Sequence, residues 1–485
     1  MIDLYLHPEL ASEFRPLADE QEMVQFLQLP EDGVPRGPYM AVVRPGGIDI
    51  PLAWTQEVPP LIFEESLPAE SAYLRVLIHA FTGAPYDEAL VSGQAADALR
   101  LVYMIMANQT PEVYPGEIAR ASHAWLHNRA VAVHYTLNGT QEAVVQAAEL
   151  YEQALDCEAP ADLKAFTARL YADLLTDLEQ YEGAARLLED HLRHAQAPES
   201  QYFLRAALIQ AYLEPMRPPY DGDVIRLLKA DLQDVLQFMR ERGYQLEEAQ
   251  MLKLGARINE METLYTEALR CFTRVEQIYK ERQAEYPLAM TLKEKGILLF
   301  GWWQSGQPQF LTGALEALNK SLGHFSQEED PMSYAEVMHY LGVLYAQFPA
   351  MPDATAIYIA RSASCFQEAL KRYRDTDSQR YAMVCNNYAT ALHQYPEGNQ
   401  FKNLQKAEGL LEEALEFRTT DFPYERSLSL INLMEVRMAR YELEGQPMEE
   451  LKQAFEAYAQ EVSSLVEDEE LRESARSYVD ALKAY

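Results

Sequence analysis

The sequence predicts a mainly α protein: a right-handed α-α superhelix of stacked helical hairpins, preceded by a small mixed or irregular N-terminal module. In residues 378–419, apolar residues recur at helical spacing on both sides of a break at Pro396–Asn399. This two-helix pattern returns along the chain, with a small residue in each first helix, at Gly255, Gly296, Gly342 and Ala389. A lone hairpin leaves one apolar face uncovered, and repetition buries it.

Residues 1–110 differ from the rest of the chain and are predicted to form the small N-terminal module. Proline is frequent up to residue 60, and short β-prone runs lie between the prolines. Gly46-Gly47 separates the first two runs in the manner of a hairpin. Residues 70–108 then carry two helical patterns, the second beginning near Ser92-Gly93. The predicted strands are Tyr39–Val43, Ile48–Trp54 and Leu61–Phe63.

Residues 117–463 are predicted to be an array of helix pairs, each made of two amphipathic stretches joined by a polar break. The connector of the third pair holds three prolines between Glu214 and Asp223, which predicts a kink there. A last helix over 466–485 is rich in acidic residues and is predicted to cap the array. The predicted pairs span residues 117–156, 161–196, 200–240, 245–282, 286–325, 333–374, 378–418 and 423–463.

Second helices share a small–large–small pattern whose members are four and then three residues apart. That spacing places them on one helix face, where the small residues let a neighbouring helix approach closely. We therefore expect Ala369 and Ala414 to be buried. The pattern is found at Ala147/Tyr151/Ala154, Ala268/Phe272/Val275, Ser362/Phe366/Ala369 and Ala407/Leu411/Ala414.

These features resemble the tetratricopeptide repeat (TPR), in which a small residue of the first helix precedes an alanine of the second by about twelve positions. Ala172 and Ala184 have this spacing. The longer repeats, such as residues 378–419, look most like the arrays of proteins that also carry caspase-like CHAT protease domains, and no protease domain is recognisable in this sequence. The resemblance implies a protein-binding superhelix.

Residues 70–108 also resemble the C-terminal end of glucose–fructose oxidoreductase-type dehydrogenases, where a similar Gly/Ala/Leu run closes the substrate domain. The nucleotide-binding half of such an enzyme requires a GxGxxG motif after a strand, and the sequence has none. The likeness therefore implies an evolutionary remnant of such a domain and no dehydrogenase activity.

Composition restricts the partners. The net charge of −34 argues against nucleic acid and against an anionic membrane surface. It keeps a long array soluble or, alternatively, suits a partner that is not acidic. No stretch of the sequence is apolar for long enough to span a membrane, and MIDLYLHPELASEF lacks the pattern of a signal peptide. We therefore expect a cytoplasmic location.

No metal or other cofactor is expected. The weak metal candidates are His123, His127 and His134, because the first two are four residues apart and can share one helix face. The HExxH pattern is absent, and packing between helices is the alternative for all three histidines. The four cysteines lie on apolar stripes without a CxxC spacing and are expected to be reduced core thiols: Cys157, Cys271, Cys365 and Cys385.

First helices line the concave groove of a TPR-like superhelix. Lys293 occupies the position of the lysine that TPR carboxylate clamps use, but Ile297 stands where such a clamp has asparagine, so a clamp of this kind is not expected. Asn386 and Asn387 are better candidates for binding a partner, because an asparagine side chain both donates to and accepts from a peptide backbone. The alternative is that one of them bonds the neighbouring helix.

Trp302 and Trp303 form the other unusual site. Adjacent side chains point about 100° apart on a helix, so both can be buried only if packing surrounds the helix end. One of the two is therefore a candidate anchor for a partner, and core packing of both is the alternative.

Two functional hypotheses follow. The first is a non-catalytic scaffold that binds a peptide or protein segment in the groove of the array. The alternative is a regulatory sensor, in which the N-terminal module or an array pocket binds a small ligand and signals to an effector protein. An enzyme is not expected, because the sequence contains no GxSxG, P-loop or kinase signature.

Overall fold

The predicted fold class is confirmed by a computed structural model of the chain. It contains 20 α-helices in the part of the chain that it describes, packed in adjacent pairs, and a small sheet near the N-terminus. It forms two compact units, the N-terminal unit Met1–Ile278 and the C-terminal unit Tyr279–Tyr485. The described residues are 2–18, 24–31, 38–55, 58–91, 93–107, 109, 122–136, 140–217, 220–325, 328, 330–348, 355–395, 398–444 and 448–483.

A four-stranded sheet with the order β2-β1-β3-β4 forms the start of the N-terminal unit. Strand β1 lies parallel to β2 and to β3, and helix α1 (Ala11–Ala18) connects β1 to β2. Strands β3 and β4 form an antiparallel hairpin that turns at Pro45-Gly46. The strands are β1 (Ile2–Leu6), β2 (Val24–Gln28), β3 (Ala41–Arg44) and β4 (Gly47–Asp49).

The sequence prediction for this sheet is correct at the hairpin and wrong elsewhere. Strand β4 ends at Asp49 and does not reach Trp54, because Pro51 has no N–H to continue the ladder. Leu61–Phe63 is not a strand. Strands β1 and β2, each five residues long, were not predicted.

Helices α2 (Ser71–Thr82) and α3 (Gly93–Met106) pack against each other, and the pairs of the array follow. Side chains of Ser122, Thr140 and Asp221 accept backbone N–H groups and begin α4, α5 and α9. The pairs of the N-terminal unit are α4 (His123–Tyr135) with α5 (Gln141–Asp156), α6 (Ala161–Asp177) with α7 (Tyr181–Leu192), α8 (Pro198–Leu213) with α9 (Gly222–Arg242), and α10 (Gln245–Met261) with α11 (Tyr265–Glu281).

The C-terminal unit continues the same pattern. Asp330, Asp377 and Asn399 cap helices α14, α16 and α17. Between residues 122 and 465 the described residues contain no strand, as predicted. The helices are α12 (Glu285–Gln304) with α13 (Phe310–Leu322), α14 (Pro331–Ala346) with α15 (Thr355–Tyr373), α16 (Ser378–Gln394) with α17 (Gln400–Phe417), α18 (Pro423–Glu444) with α19 (Met448–Leu465), and a last helix α20 (Glu469–Lys483).

Small residues of the first helices meet large residues of the second. A Cβ atom added to Gly296 would lie 2.6 Å from Cγ of Leu318, and one added to Gly342 would lie 3.0 Å from the ring of Phe366. All members of the small–large–small pattern are buried, and Ala369 and Ala414 are fully buried, as predicted. The small–large–small pattern therefore identifies the side chains through which the two helices of a pair contact each other.

Some sequence predictions fall outside the described residues. These are the positions of Ser92, Glu117, Pro218, Pro219, Pro396 and Glu397. The predicted division into residues 1–110, 117–463 and 466–485 stays a prediction; in the structure the sheet and the first four helix pairs belong to one compact unit. None of the described helices combines the length and the apolar character that crossing a membrane requires.

Two glycines of α12 test the contact between paired helices. We expect Gly296→Ala to lower the free energy of unfolding by about 1–3 kcal/mol, because the new methyl group overlaps Leu318. The matched control is Gly301→Ala, where no atom lies within 4 Å of the added Cβ. Alanine should stabilise the helix there by about 0.5–1 kcal/mol. Thermal or denaturant unfolding measures both, and equal effects would contradict the assigned helix face.

Candidate functional site

A segment of the N-terminal module lies against the first helices of the N-terminal unit and forms neither helix nor strand. It comprises residues 51–55 and 58–64, and we call it the strap. Three of its large side chains are almost inaccessible, with Trp54 5%, Leu61 1% and Ile62 3% exposed. Burial of each such side chain stabilises a protein by about 1.5–3 kcal/mol, so the strap is a fixed part of this fold.

Polar side chains of α4 and α6 bind the backbone of the strap. The amide of Asn128 makes two hydrogen bonds to Ile62: its Oδ1 accepts from the Ile62 N–H at 2.7 Å, and its Nδ2 donates to the Ile62 carbonyl at 2.9 Å. His127 Nε2 contacts the carbonyl of Pro60 at 2.9 Å, and Arg169 donates to the carbonyl of Trp54 at 3.3 Å. A first-helix asparagine thus holds both backbone groups of a bound residue.

Trp54 anchors the strap among aromatic side chains of α6 and α8. Its ring stacks on Phe203 with centroids 5.3 Å apart and meets Phe166 edge-on at 4.9 Å. Arg169, which bonds the Trp54 carbonyl, also lies over the ring of Phe203. Such aromatic pairs contribute about 0.5–1.5 kcal/mol beyond area burial. The first helices therefore contact the strap in two ways: aromatic side chains hold Trp54, and polar side chains bind the strap backbone.

The predicted metal candidates have structural partners. His123 Nε2 and His127 Nδ1 both contact the Thr167 hydroxyl, at 3.0 and 2.8 Å. Because a carbonyl only accepts, His127 must donate from Nε2 to Pro60 and accept from Thr167 at Nδ1, and Thr167 in turn accepts from His123. His134 contacts the Tyr151 hydroxyl at 3.1 Å. These contacts agree with packing between helices, which the sequence analysis gave as the alternative to a metal site for the three histidines.

Burial keeps this histidine pair neutral. It lowers the pKa of His127 to about 3 and that of His123 to about 4. Burial likewise raises the pKa of the Cys365 thiol to about 11 and that of Cys385 to about 12, so both remain protonated. Across the described residues, no three His, Cys, Asp or Glu side chains are grouped so as to hold a metal ion.

In the C-terminal unit, the candidates Lys293 and Asn387 bond neighbouring first helices. Lys293 is 6% exposed and forms a 2.7 Å ion pair with Glu336 of α14. The amide Nδ2 of Asn387 lies 2.8 Å from Nε2 of His339, also on α14. Burial lowers the pKa of His339 to about 4, so its neutral ring accepts this hydrogen bond. A partner-binding role for Lys293 and Asn387 stays a prediction.

Asn386 lies deeper than Asn387 and bonds α18. It is 8% exposed, and its Oδ1 accepts from Ser429 at 3.0 Å and from Asn432 at 3.1 Å. Ser429 also accepts from the buried guanidinium of Arg418 at 2.7 Å. This network favours the interhelical alternative for Asn386, because the carbonyl oxygen is already used within the protein.

The accessible side of the C-terminal first helices is a different set of residues. On each of α12, α14, α16 and α18, half-buried side chains recur four and then three residues apart, which places them on one helix face. We call this set the C-terminal first-helix face. Its residues are Met290, Glu294, Ile297, Glu336, Tyr340, Val343, Met383, Asn387, Thr390, Leu428, Asn432 and Glu435.

This face combines apolar and acidic chemistry. Its apolar side chains come from every one of the four helices, and Tyr340 meets Phe300 of the preceding first helix edge-on at 5.5 Å. Its charged residues are all carboxylates: Glu294, Glu336 and Glu435. Lys293 beneath the face pairs with Glu336, and His393 lies 3.7 Å from Glu435. The face therefore suits an apolar segment that also carries positive charge.

The two tryptophans lie at the end of α12, and both are half-buried. Trp302 stacks on Phe310 of α13 with ring centroids 3.6 Å apart, and Trp303 lies 5.7 Å from Phe300. Neither is fully enclosed by the core and neither projects freely. A role as partner anchor stays a prediction.

The sequence prediction missed the residues that bind the strap. It expected a first-helix asparagine to hold the backbone of a partner. Asn128 holds the backbone of Ile62 within the chain, and partner binding by Asn386 and Asn387 stays a prediction. The available signal was the pair His127-Asn128 inside an apolar helix, where buried polar side chains need partners. Those partners are sixty-odd positions earlier in the chain, which a local pattern does not show.

The neutral histidine pair predicts a pH dependence of stability. Unfolded histidine has a pKa of about 6.5, so below that pH the unfolded chain binds protons that folded His127 and His123 do not. Stability should therefore fall as the pH is lowered from about 6.5 toward 4. At pH 5, the exclusion of a proton from folded His127 alone lowers the free energy of unfolding by on the order of 2 kcal/mol. Thermal unfolding at pH 7 and pH 5 measures this loss.

The variant His127→Gln measures how much of the loss of stability between pH 7 and pH 5 is due to His127. Glutamine can still donate to Pro60 and accept from Thr167, but it does not titrate. The loss of stability between pH 7 and pH 5 should be smaller in this variant than in the wild type. His324→Gln, at an exposed position, is the matched control. A pH dependence identical in the wild type and in His127→Gln would show that His127 is not held neutral by the fold.

Comparison with known proteins gives no family assignment. No family model matches the chain, and no curated protein matches it. Among solved structures, "Crystal Structure of the Yeast Tom70" is similar at 13% identity over 84% of this chain and 69% of that chain, with a TM-score of 0.36. "Circular tandem repeat protein with novel repeat topology and enhanced subunit contact surfaces" is similar at 13% identity over 85% and 88%, with a TM-score of 0.15.

TM-scores below 0.5 establish neither shared architecture nor shared function, so the repeat assignment rests on the helix pairs described above. None of these matches supports the likeness of residues 70–108 to dehydrogenases. Those residues form the helices α2 and α3, whose apolar sides pack together, and this accounts for their composition.

Proposed function

We propose that this protein is a non-catalytic interaction scaffold, and that the C-terminal first-helix face binds a peptide or protein segment. The observation that supports this most is the strap. In the N-terminal unit, first helices of this chain bind a non-helical segment through the side chains of Asn128, His127 and Arg169. Buried backbone groups of a bound segment need such partners, and these helices supply them.

The partner segment is distinct from the strap. Trp54, Leu61 and Ile62 are too deeply buried to be exchanged readily, so the strap permanently covers part of the N-terminal first helices. Beneath the C-terminal first-helix face, the buried residues Lys293, His339 and Asn386 are used between helices. The half-buried residues outside them remain accessible to a partner.

Charge indicates the chemistry of that partner. The face carries carboxylates and no lysine or arginine, and the whole chain has a net charge of −34. An acidic segment would be repelled before docking, whereas a basic one is attracted and steered. We therefore assign to the face a segment with basic residues and apolar residues that contact Ile297, Tyr340 and Val343. The proposed location of the protein is the cytoplasm.

A selection with displayed random peptides tests this function. The full-length protein should select peptides enriched in lysine or arginine together with apolar residues, and raised salt should weaken their binding. Affinities of the selected peptides are then measured by fluorescence anisotropy. Recovery of acidic peptides, or of no peptide with saturable binding, would contradict the proposal.

A pair of charge reversals locates the binding site. Glu435→Lys on the face should weaken a selected basic peptide by about fivefold to tenfold. Glu416→Lys, at an exposed position of the second helix α17, changes the net charge by the same amount and serves as the control. It should weaken binding much less. Equal weakening would mean that only the overall charge attracts the peptide and that the face is not the site.

A regulatory sensor is the second candidate function, and one observation favours it. A cleft of about 340 Å³ lies within the N-terminal unit, between Tyr39 and the strap on one side and the helix pairs on the other. Its size is within the range of small-molecule sites. A ligand there would contact both parts and could bias how they pack. The cleft is lined by Tyr39, Pro51, Leu52, Trp54, Asp162, Ala197, Glu199, Ser200, Arg242 and Tyr244.

A further inference from the structure

Three charged residues line the cleft, each near the end of a helix. Asp162, in the first turn of α6, already accepts the backbone N–H groups of Gln196 and Ala197 at 2.9 Å each, so Glu199 and Arg242 are the charged groups considered for a ligand. Glu199 lies in the first turn of α8, and Arg242 is the last residue of α9. Their side chains form an ion pair with 3.5 Å between Nη1 and Oε1. This is longer than the roughly 2.7–2.9 Å of a charge-assisted hydrogen bond. A guanidinium has five donors and a carboxylate about four acceptor sites, so both groups retain capacity for a ligand.

Each aromatic side chain that lines the cleft packs against a further aromatic ring of the protein. Trp54 stacks on Phe203, and Tyr244 meets Phe203 edge-on with ring centroids 5.1 Å apart. Tyr39 meets Tyr5 of the sheet edge-on at 5.6 Å. Rings fixed in this way lose little freedom when a ligand binds.

The phenols of this wall are hydrogen-bond donors at neutral pH. Burial raises the pKa of Tyr39 and that of Tyr244, and the carboxylate of Glu199 raises both. Glu199, Tyr39 and Tyr244 line the same cleft. An amine bound at Glu199 would therefore be close to the aromatic wall.

We propose that this cleft binds a small zwitterion, namely an α-amino acid with an apolar or aromatic side chain. Its carboxylate would pair with Arg242, its ammonium group with Glu199, and its side chain would lie against Trp54 and Tyr244. A ligand with only one charge pairs with only one of the two groups, either Glu199 or Arg242, whereas a zwitterion pairs with both at once. An α-amino acid carries both charges on one carbon atom and satisfies both groups.

This inference names the ligand class for the sensor function, and its regulatory meaning rests on that second candidate function. Binding itself does not depend on the partner segment. The two are therefore separable: binding is measured on the protein alone, and regulation is measured as a change in affinity for a selected peptide.

Titration calorimetry on the full-length protein tests the site, with L-phenylalanine as the probe. We expect saturable binding of L-phenylalanine. Phenethylamine, which lacks the carboxylate, and 3-phenylpropanoate, which lacks the ammonium group, should each bind about tenfold more weakly or worse. Because these comparisons use one unaltered protein, they do not depend on the folding of a variant. Absence of saturable L-phenylalanine binding, or equal binding of either analogue, would overturn the proposal.

Two charge-neutralising variants then place the ligand. Arg242→Gln and Glu199→Gln should each weaken L-phenylalanine about tenfold. Arg226→Gln, at an exposed position of the same helix α9, should bind L-phenylalanine as the wild type does. Unchanged affinity in both cleft variants would place the ligand elsewhere and overturn the site. If L-phenylalanine binds as expected but leaves peptide affinity unchanged, the site stands and the sensor function fails.

Discussion

Close approach of a small first-helix residue to a large second-helix residue is the contact on which the helix pairs depend. Gly296 lies against Leu318, and Gly342 lies against Phe366. A Cβ atom added at either glycine would lie 3.0 Å or less from its neighbour, so this close approach favours one register and one contacting face for each pair. That register decides which side chains of the first helix lie underneath and which remain accessible, and so it also defines where a partner can bind.

Polar side chains of the first helices have two uses in this chain. In the N-terminal unit, Asn128 and His127 bind the backbone of the strap. In the C-terminal unit, Lys293, Asn387 and Asn386 bond neighbouring first helices. Both uses satisfy buried polar groups, which would otherwise cost about 1–3 kcal/mol each. The accessible surface that remains in the C-terminal unit is apolar and acidic, and it is this surface that gives the proposed scaffold its partner chemistry.

Sequence periodicity predicted the helix pairs because each pair is a local unit with its own apolar pattern. The predicted pair at 378–418, for example, corresponds to helices Ser378–Gln394 and Gln400–Phe417. Long-range contacts were not accessible in this way. Strand Ile2–Leu6 pairs with strands later in the chain, and Asn128 pairs with Ile62. For Asn386 the sequence leaves groove binding and an interhelical bond open, because its depth depends on packing against α18, which no local pattern contains.

The central claim is that first-helix side chains of this protein bind the backbone of a peptide segment, and hydrogen exchange in the strap tests it most directly. The Ile62 N–H donates to Asn128 in a buried position, so a peptide covering residues 58–64 should exchange orders of magnitude more slowly than an unfolded chain. In Asn128→Ala, exchange of this peptide should accelerate while amides of the C-terminal unit keep their rates. Exchange of the wild-type peptide at the rate of an unfolded chain would contradict the claim.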